Sequence, residues 1–127
     1  MSYKGNIIEE SLSDKGILKR FRILSTRTVA VTARHRTPWI RQWTLHLVEV
    51  TDAEAEELAG LLSRSLDQGH GGSWYVDYKN ENTHYIIFPG KVFRVNRRKP
   101  GEYAKAREYG ISIGIPEYQL DFSPGVR

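Results

Sequence analysis

Ser73-Trp74-Tyr75-Val76-Asp77-Tyr78-Lys79-Asn80-Glu81-Asn82-Thr83-His84-Tyr85-Ile86-Ile87-Phe88-Pro89-Gly90-Lys91-Val92-Phe93-Arg94-Val95-Asn96 is the stretch that decides the fold. β-branched and aromatic residues fill three runs, divided by Asn80-Glu81-Asn82 and by Pro89-Gly90, which is the pattern of a three-stranded antiparallel meander. A first loop of those three residues pairs Trp74 with Phe88, Val76 with Ile86 and Tyr78 with His84. The second turn sets Ile86 opposite Phe93 and His84 opposite Val95; L-Pro-Gly suits a type II turn and not the primed hairpin turns, so this turn is expected to be the looser one. Both registers predict one apolar face of Trp74, Val76, Tyr78, His84, Ile86, Phe88, Phe93 and Val95. The opposite face then carries Tyr75, Asp77, Tyr85 and Arg94, a half-polar aromatic surface suited to a protein partner or to a second copy of the chain.

Working outward, Thr51-Asp52-Ala53-Glu54 reads as a capping box, in which the Thr51 hydroxyl and the Glu54 carboxylate serve each other's backbone amides. Ala55, Leu58, Ala59, Leu62 and Leu66 follow at helical spacing, and the glycines at 69, 71 and 72 end the helix. Upstream, period-two alternation predicts strands over Tyr3–Glu10, Leu18–Val31 and Trp43–Val50, with Pro38 holding residues 34–39 in a loop or at a strand edge. Downstream, Pro100 at a first helical position predicts a short helix over Glu102–Tyr109 stopped by Gly110. Ile111, Ile113 and Ile115 then alternate with small residues as an extended tail. The sum is one α+β domain over residues 1–127: a single mainly antiparallel sheet, one long helix packed on one face, and a short C-terminal helix.

A length of 127 residues allows one such domain, and 39% hydrophobic, 11% aromatic and 27% charged residues exclude disordered and collagen-like classes. The absence of cysteine removes disulfides, thiolate nucleophiles and thiolate metal sites. The first ten residues lack the apolar region of a secretory signal, and no run approaches the roughly 20 residues needed to span a bilayer. A cytoplasmic protein without membrane contact is therefore the expectation.

Charge is sorted along the chain. Eight basic residues and no acid lie between Lys15 and Val48, an acidic stretch from Glu49 to Asp67 follows, and a second basic segment runs from Lys91 to Arg107. Lys19, Arg20, Arg22, Arg34, Arg36 and Arg41, with Arg97, Arg98 and Lys99, are candidate phosphate contacts for a single-stranded nucleic acid, with tyrosine and tryptophan rings as stacking surfaces. The simpler alternative is that the acidic segment folds against the basic ones and cancels their field.

Three stretches resemble a family of small prokaryotic proteins without an assigned activity: His35-Arg36-Thr37-Pro38-Trp39 with Gln42-Trp43-Thr44-Leu45-His46; Ser73–Asn80 with His84–Phe88; and Tyr109-Gly110-Ile111-Ser112-Ile113-Gly114-Ile115-Pro116. The likeness covers nearly the whole chain and implies a single-domain cytosolic protein, with no site residue to carry over.

Catalytic signatures are missing: no phosphate-binding glycine loop, no His-Glu-x-x-His and no nucleophile elbow. The histidines at 35, 46, 70 and 84 have no metal-pair spacing, so neither metal nor cofactor is expected. His84 beside Tyr78 reads first as a hydrogen-bonded histidine at a core edge. Should His46 reach the same rim, Trp39, Trp43, His46, Tyr78 and His84 would form a small pocket with a tunable base. A non-enzymatic binding or protein-interaction module, working through the Tyr75/Asp77/Tyr85/Arg94 face or a sheet edge and self-associating or engaging another protein, ranks first. Nucleic-acid binding ranks second and the histidine pocket third.

Overall fold

The computed structural model describes residues 2–30, 42–67, 74–115 and 120. Strands β1 (Ser2–Ile8), β2 (Arg22–Ala30), β3 (Gln42–Thr51), β4 (Val76–Lys79), β5 (Thr83–Phe88) and β6 (Lys91–Asn96) form one six-stranded antiparallel sheet in the order β2-β3-β1-β4-β5-β6. Helix α1 spans Ala55–Ser65 and helix α2 spans Pro100–Ser112. Two 3-10 turns, Glu9–Ser11 and Lys15–Arg20, occupy part of what the alternation predicts as strand. The expected loop at 34–39, the glycine turn at 69–72 and the final residues lie outside the described part, as do Arg34, Arg36, Trp39 and Arg41.

The meander is present, but its first hairpin is slipped by one residue. Val76 pairs with Ile87, Asp77 with Ile86, Tyr78 with Tyr85 and Lys79 with His84. The cause is the turn itself: the Asn80 side-chain oxygen accepts the amides of Asn82 and Thr83 at 2.9 and 2.8 Å, and the Asn80 amide donates to Thr83 O. That side-chain-built turn holds one residue more than the expected loop. The second hairpin keeps its expected register, with Ile86 opposite Phe93 and His84 opposite Val95. Its turn is tighter than expected, since Phe88 pairs with Lys91 and Gly90 supplies the positive φ of 74° that a type II turn requires.

A one-residue slip moves every β4 side chain to the other face. Trp74, Val76, Tyr78, Tyr85 and Ile87 therefore join the core under α1, with Tyr3, Ile7, Val48, Val50, Leu58 and Leu62. Ile86, Phe88 and Val95 face α2 and pack with Ala106, Ile115 and Leu120. The single apolar face of the sequence reading is thus divided between two cores. The expected face of Tyr75, Asp77, Tyr85 and Arg94 is divided as well, because Asp77 projects with Ile86 while Tyr85 and Arg94 project with Tyr78. Asp77 and Tyr85 are both buried, so neither lies on an open surface.

The helices also depart from the one-long, one-short expectation: α1 has 11 residues and α2 has 13. The Thr51 hydroxyl reaches Glu54 Oε1 at 3.1 Å, yet helical geometry begins only at Ala55. Gly110 lies within α2 and does not stop it. A Cβ there would come within 2.7 Å of Leu120 Cδ2 and 3.2 Å of Phe88, so glycine lets the helix sit close to the sheet. Gly114, with φ of 97°, ends the helix through the amides of Gly114 and Ile115, which donate to Ile111 O and Gly110 O. No helix among the described residues is long and apolar enough to cross a membrane.

Candidate functional site

Helix α2 covers the sheet only over β5 and β6. Beyond it the same face, over β3, β1 and β4, forms a cleft of about 790 Å³ lined by Lys4, Asn6, Leu47, Asp77, Lys79 and Arg97 among others. Gly5 belongs to its floor: a Cβ there would meet the Asp77 carbonyl oxygen at 2.0 Å, so only glycine lets β1 lie this close to β4.

Asp77 leads from the cleft into a buried polar chain. His84, fully buried, sets its Nε2 2.6 Å from Asp77 Oδ2 and its Nδ1 3.0 Å from the Tyr103 hydroxyl. Tyr103 is also hydrogen-bonded by the Arg97 side chain, which can only donate. In the neutral tautomer that donates Nε2–H to Asp77, His84 accepts at Nδ1 from the Tyr103 hydroxyl, whose oxygen accepts from Arg97. Arg97 is further anchored by a hydrogen bond from Nη1 to Asn80 O. Burial pushes the Tyr103 hydroxyl above its ordinary value, partly offset by Arg97, which keeps it protonated as the chain needs. Both ends of this chain, a guanidinium and a carboxylate, reach the cleft. His84 and Tyr103 lie behind it and join the sheet to α2.

The expected histidine pocket does not form. His46 pairs with Ile7 on the α1 side of the sheet, where its ring contacts Thr26 Oγ1 at 2.8 Å and Glu9 Oε1 at 3.0 Å, whereas His84 lies on the α2 side. Tyr78 is sealed under α1, its hydroxyl donating to Ala55 O, and burial drives its acidity far below that of a free tyrosine. Trp43 stacks near Trp74 at 5.5 Å instead of approaching His84.

The described basic residues of β2 and those of β6 are separated. β2 and β6 are the two edges of the sheet, five strand spacings apart, or roughly 24 Å. Arg20 and Arg22 are directed to Glu57 and Glu49 at 3.5 and 3.4 Å, so the acidic segment does fold against the basic one there. Arg98 borders a smaller polar hollow with Arg94, Asn82 and Asn96. Lys19 and Lys99 are exposed, and they flank opposite edges.

Lys4, Gly5, Lys79 and Tyr103 escaped the sequence reading. The association of Lys4 and Gly5 with Lys79 depends on β1 lying beside β4, a pairing between distant segments that no local pattern encodes, and that of Tyr103 on α2 packing against β5. Among the described residues no three His, Asp or Glu side chains gather as a metal site would require. Comparison with protein-family models, curated proteins and solved structures finds no match.

Proposed function

We propose that this chain is a non-enzymatic binding module whose cleft over β3, β1 and β4 takes a small ligand. The observation that carries the reading is the cleft floor: Asp77 and Arg97 are held at fixed positions by the His84–Tyr103 chain, and Gly5 is required to shape it. Pre-positioned polar groups in a concavity of this volume are what small-molecule sites consist of. Binding is favoured over catalysis because His84, the base such a site would employ, is buried with both ring nitrogens engaged. A fragment screen on the full chain by amide chemical shifts tests this. Hits should move residues 2–6 and 77–80 together; hits confined to other surfaces would refute it.

A second reading, association through strand addition, has its own support. β2 is a sheet edge of nine residues, nearly all exposed, and it bears Ile23 and Leu24 at 41% and 40% exposure. The irregularity between Ile23 and Ser25 and the charges of Arg22 and Arg27 interrupt this edge. Sedimentation of the full chain separates the two readings, since a monomer at high concentration removes self-pairing and leaves the cleft unaffected.

A further inference from the structure

In an antiparallel ladder, residues two apart on one strand and residues directly opposed across two strands share a face. Thr83 pairs with Asn96 and Tyr85 with Arg94, so these four project together on the α1 side, the face opposite the cleft. There Asn82, Thr83, Arg94, Asn96 and Arg98 line a hollow of about 370 Å³. Arg94 is braced in place, its Cζ 5.9 Å from the Tyr85 ring centroid. Arg98 leaves a turn that Asn96 closes by accepting the Arg98 amide on Oδ1 at 2.9 Å.

The hydrogen-bonding capacity left to the hollow is weighted towards donors. Both guanidinium groups can only donate. Asn96 has its side-chain oxygen engaged by Arg98, so its NH2 group is what remains. The Thr83 hydroxyl is hydrogen-bonded to Tyr3, and the Asn82 side-chain amide adds further N–H groups beside its carbonyl. Asp52 and Glu56 act on Tyr85, as Arg94 does, and Glu102 accepts the Asn96 amide at 3.0 Å. Yet among the described residues no acid lines the hollow, and none forms an ion pair with Arg94 or Arg98.

We propose that Arg94 and Arg98 hold a phosphate group in this hollow, either the free ion or a monoester on a small molecule, with the Asn96 amide as a third donor. Planar guanidinium forks match phosphate oxygens, and a phosphate has an oxygen for each of the three donor groups where a carboxylate has only two. No aromatic ring lines the hollow, so the stacking surface that a single-stranded nucleic acid uses is missing there. The site shares no residue with the cleft and stands independently of it.

The test is a titration of the full chain with inorganic phosphate and with phenyl phosphate at constant ionic strength. Acetate and a short oligothymidylate serve as comparisons, and the readout is the Nε–H signals of Arg94 and Arg98 with the amides of residues 82–83 and 94–98. The expected result is saturable movement with at least one phosphate. Equal responses to the two identify the free ion, a tighter response to phenyl phosphate identifies a monoester, and either supports the proposal. Arg94→Gln and Arg98→Gln, both exposed substitutions, should each weaken the response at least about tenfold with the melting temperature near that of the parent. Lys91→Gln, at the other end of β6, should leave it unchanged. A response that survives either arginine substitution, or that falls equally with Lys91→Gln, would be general screening and overturn the site. Acetate acting as strongly as phosphate would overturn the phosphate class, as would binding of the oligonucleotide alone. Movement confined to residues 2–6 and 77–80 would belong to the cleft, overturning this site and leaving the cleft reading intact.

Discussion

His84 is the residue on which the α2 side of the molecule turns. It is fully buried and spans Asp77 on the sheet and Tyr103 on the helix, so one ring fastens two layers. Removing it leaves a buried carboxylate without its donor, a loss on the order of 3 kcal/mol or more. His84→Ala is expected to lower the unfolding free energy measured in urea by that amount, and Tyr103→Phe, which deletes only one hydroxyl, by about 1 kcal/mol. The tyrosines govern the alkaline limit. Burial raises the hydroxyl pKa of Tyr3, Tyr78, Tyr85 and Tyr103, with Asp52 adding to the effect at Tyr3. In each, the folded state holds its proton beyond the unfolded value of about 10. Stability is therefore full below about pH 10 and declines as pH rises further, because the unfolded chain releases protons that the folded chain retains. Melting curves between pH 8 and about 11.5 should show that decline, and Tyr78→Phe should make it shallower; an unchanged slope would remove Tyr78 as its source. Sequence alone indicates His84 as a hydrogen-bonded histidine at a core edge. It does not identify the partners, since Asp77 is assigned to the opposite face until the turn at Asn80 is known.

At the level of elements, close backbone approach decides more than hydrophobic pattern. Gly5 permits β1 to meet β4, and Gly110 permits α2 to settle on Phe88 and Leu120. The two glycines differ in what an added methyl would strike. At Gly5 the obstacle is the Asp77 backbone, which cannot swing aside; at Gly110 the nearest atoms belong to a leucine side chain. Gly110→Ala is expected to cost about 1–3 kcal/mol, and Gly5→Ala more than that, with loss of β1–β4 pairing. Urea midpoints for the two variants check the order, and a Gly5→Ala protein as stable as the parent would contradict the close contact. Ser63, whose hydroxyl donates to Phe88 O at 2.8 Å while its carbonyl accepts from Gly90, ties α1 to the second hairpin turn. These elements explain what was legible. The Pro89-Gly90 turn fixes its own register because few turn types accommodate that pair. The β4–β5 register was not legible, since β5 is apolar on both faces and hydrophobic alternation gives it no preferred side. The extent of α2 was hidden because a helical Gly110 reads locally as a terminator, and only the tertiary contact with Leu120 explains its place.

At the scale of the whole molecule, the described residues cover the sheet unevenly. Helix α1 with the 3-10 turns closes one side, while α2 closes only the β5–β6 half of the other, leaving the cleft over the remaining strands. The α+β class and the antiparallel sheet follow from the sequence, but strand order does not: β1 inserts between β3 and β4 and brings Lys4 beside Lys79, residues that no local reading would join. The same order puts the described basic residues of β2 and those of β6 at opposite edges of the sheet. Every surface described here depends on the pairing of β4 with β5. Cross-strand proton contacts in the full chain measure it directly: the account predicts backbone contacts linking Tyr78 to Tyr85 and Asp77 to Ile86. Contacts linking Tyr78 to His84 and Val76 to Ile86 instead would return Asp77 and His84 to opposite faces, and the cleft floor would not exist.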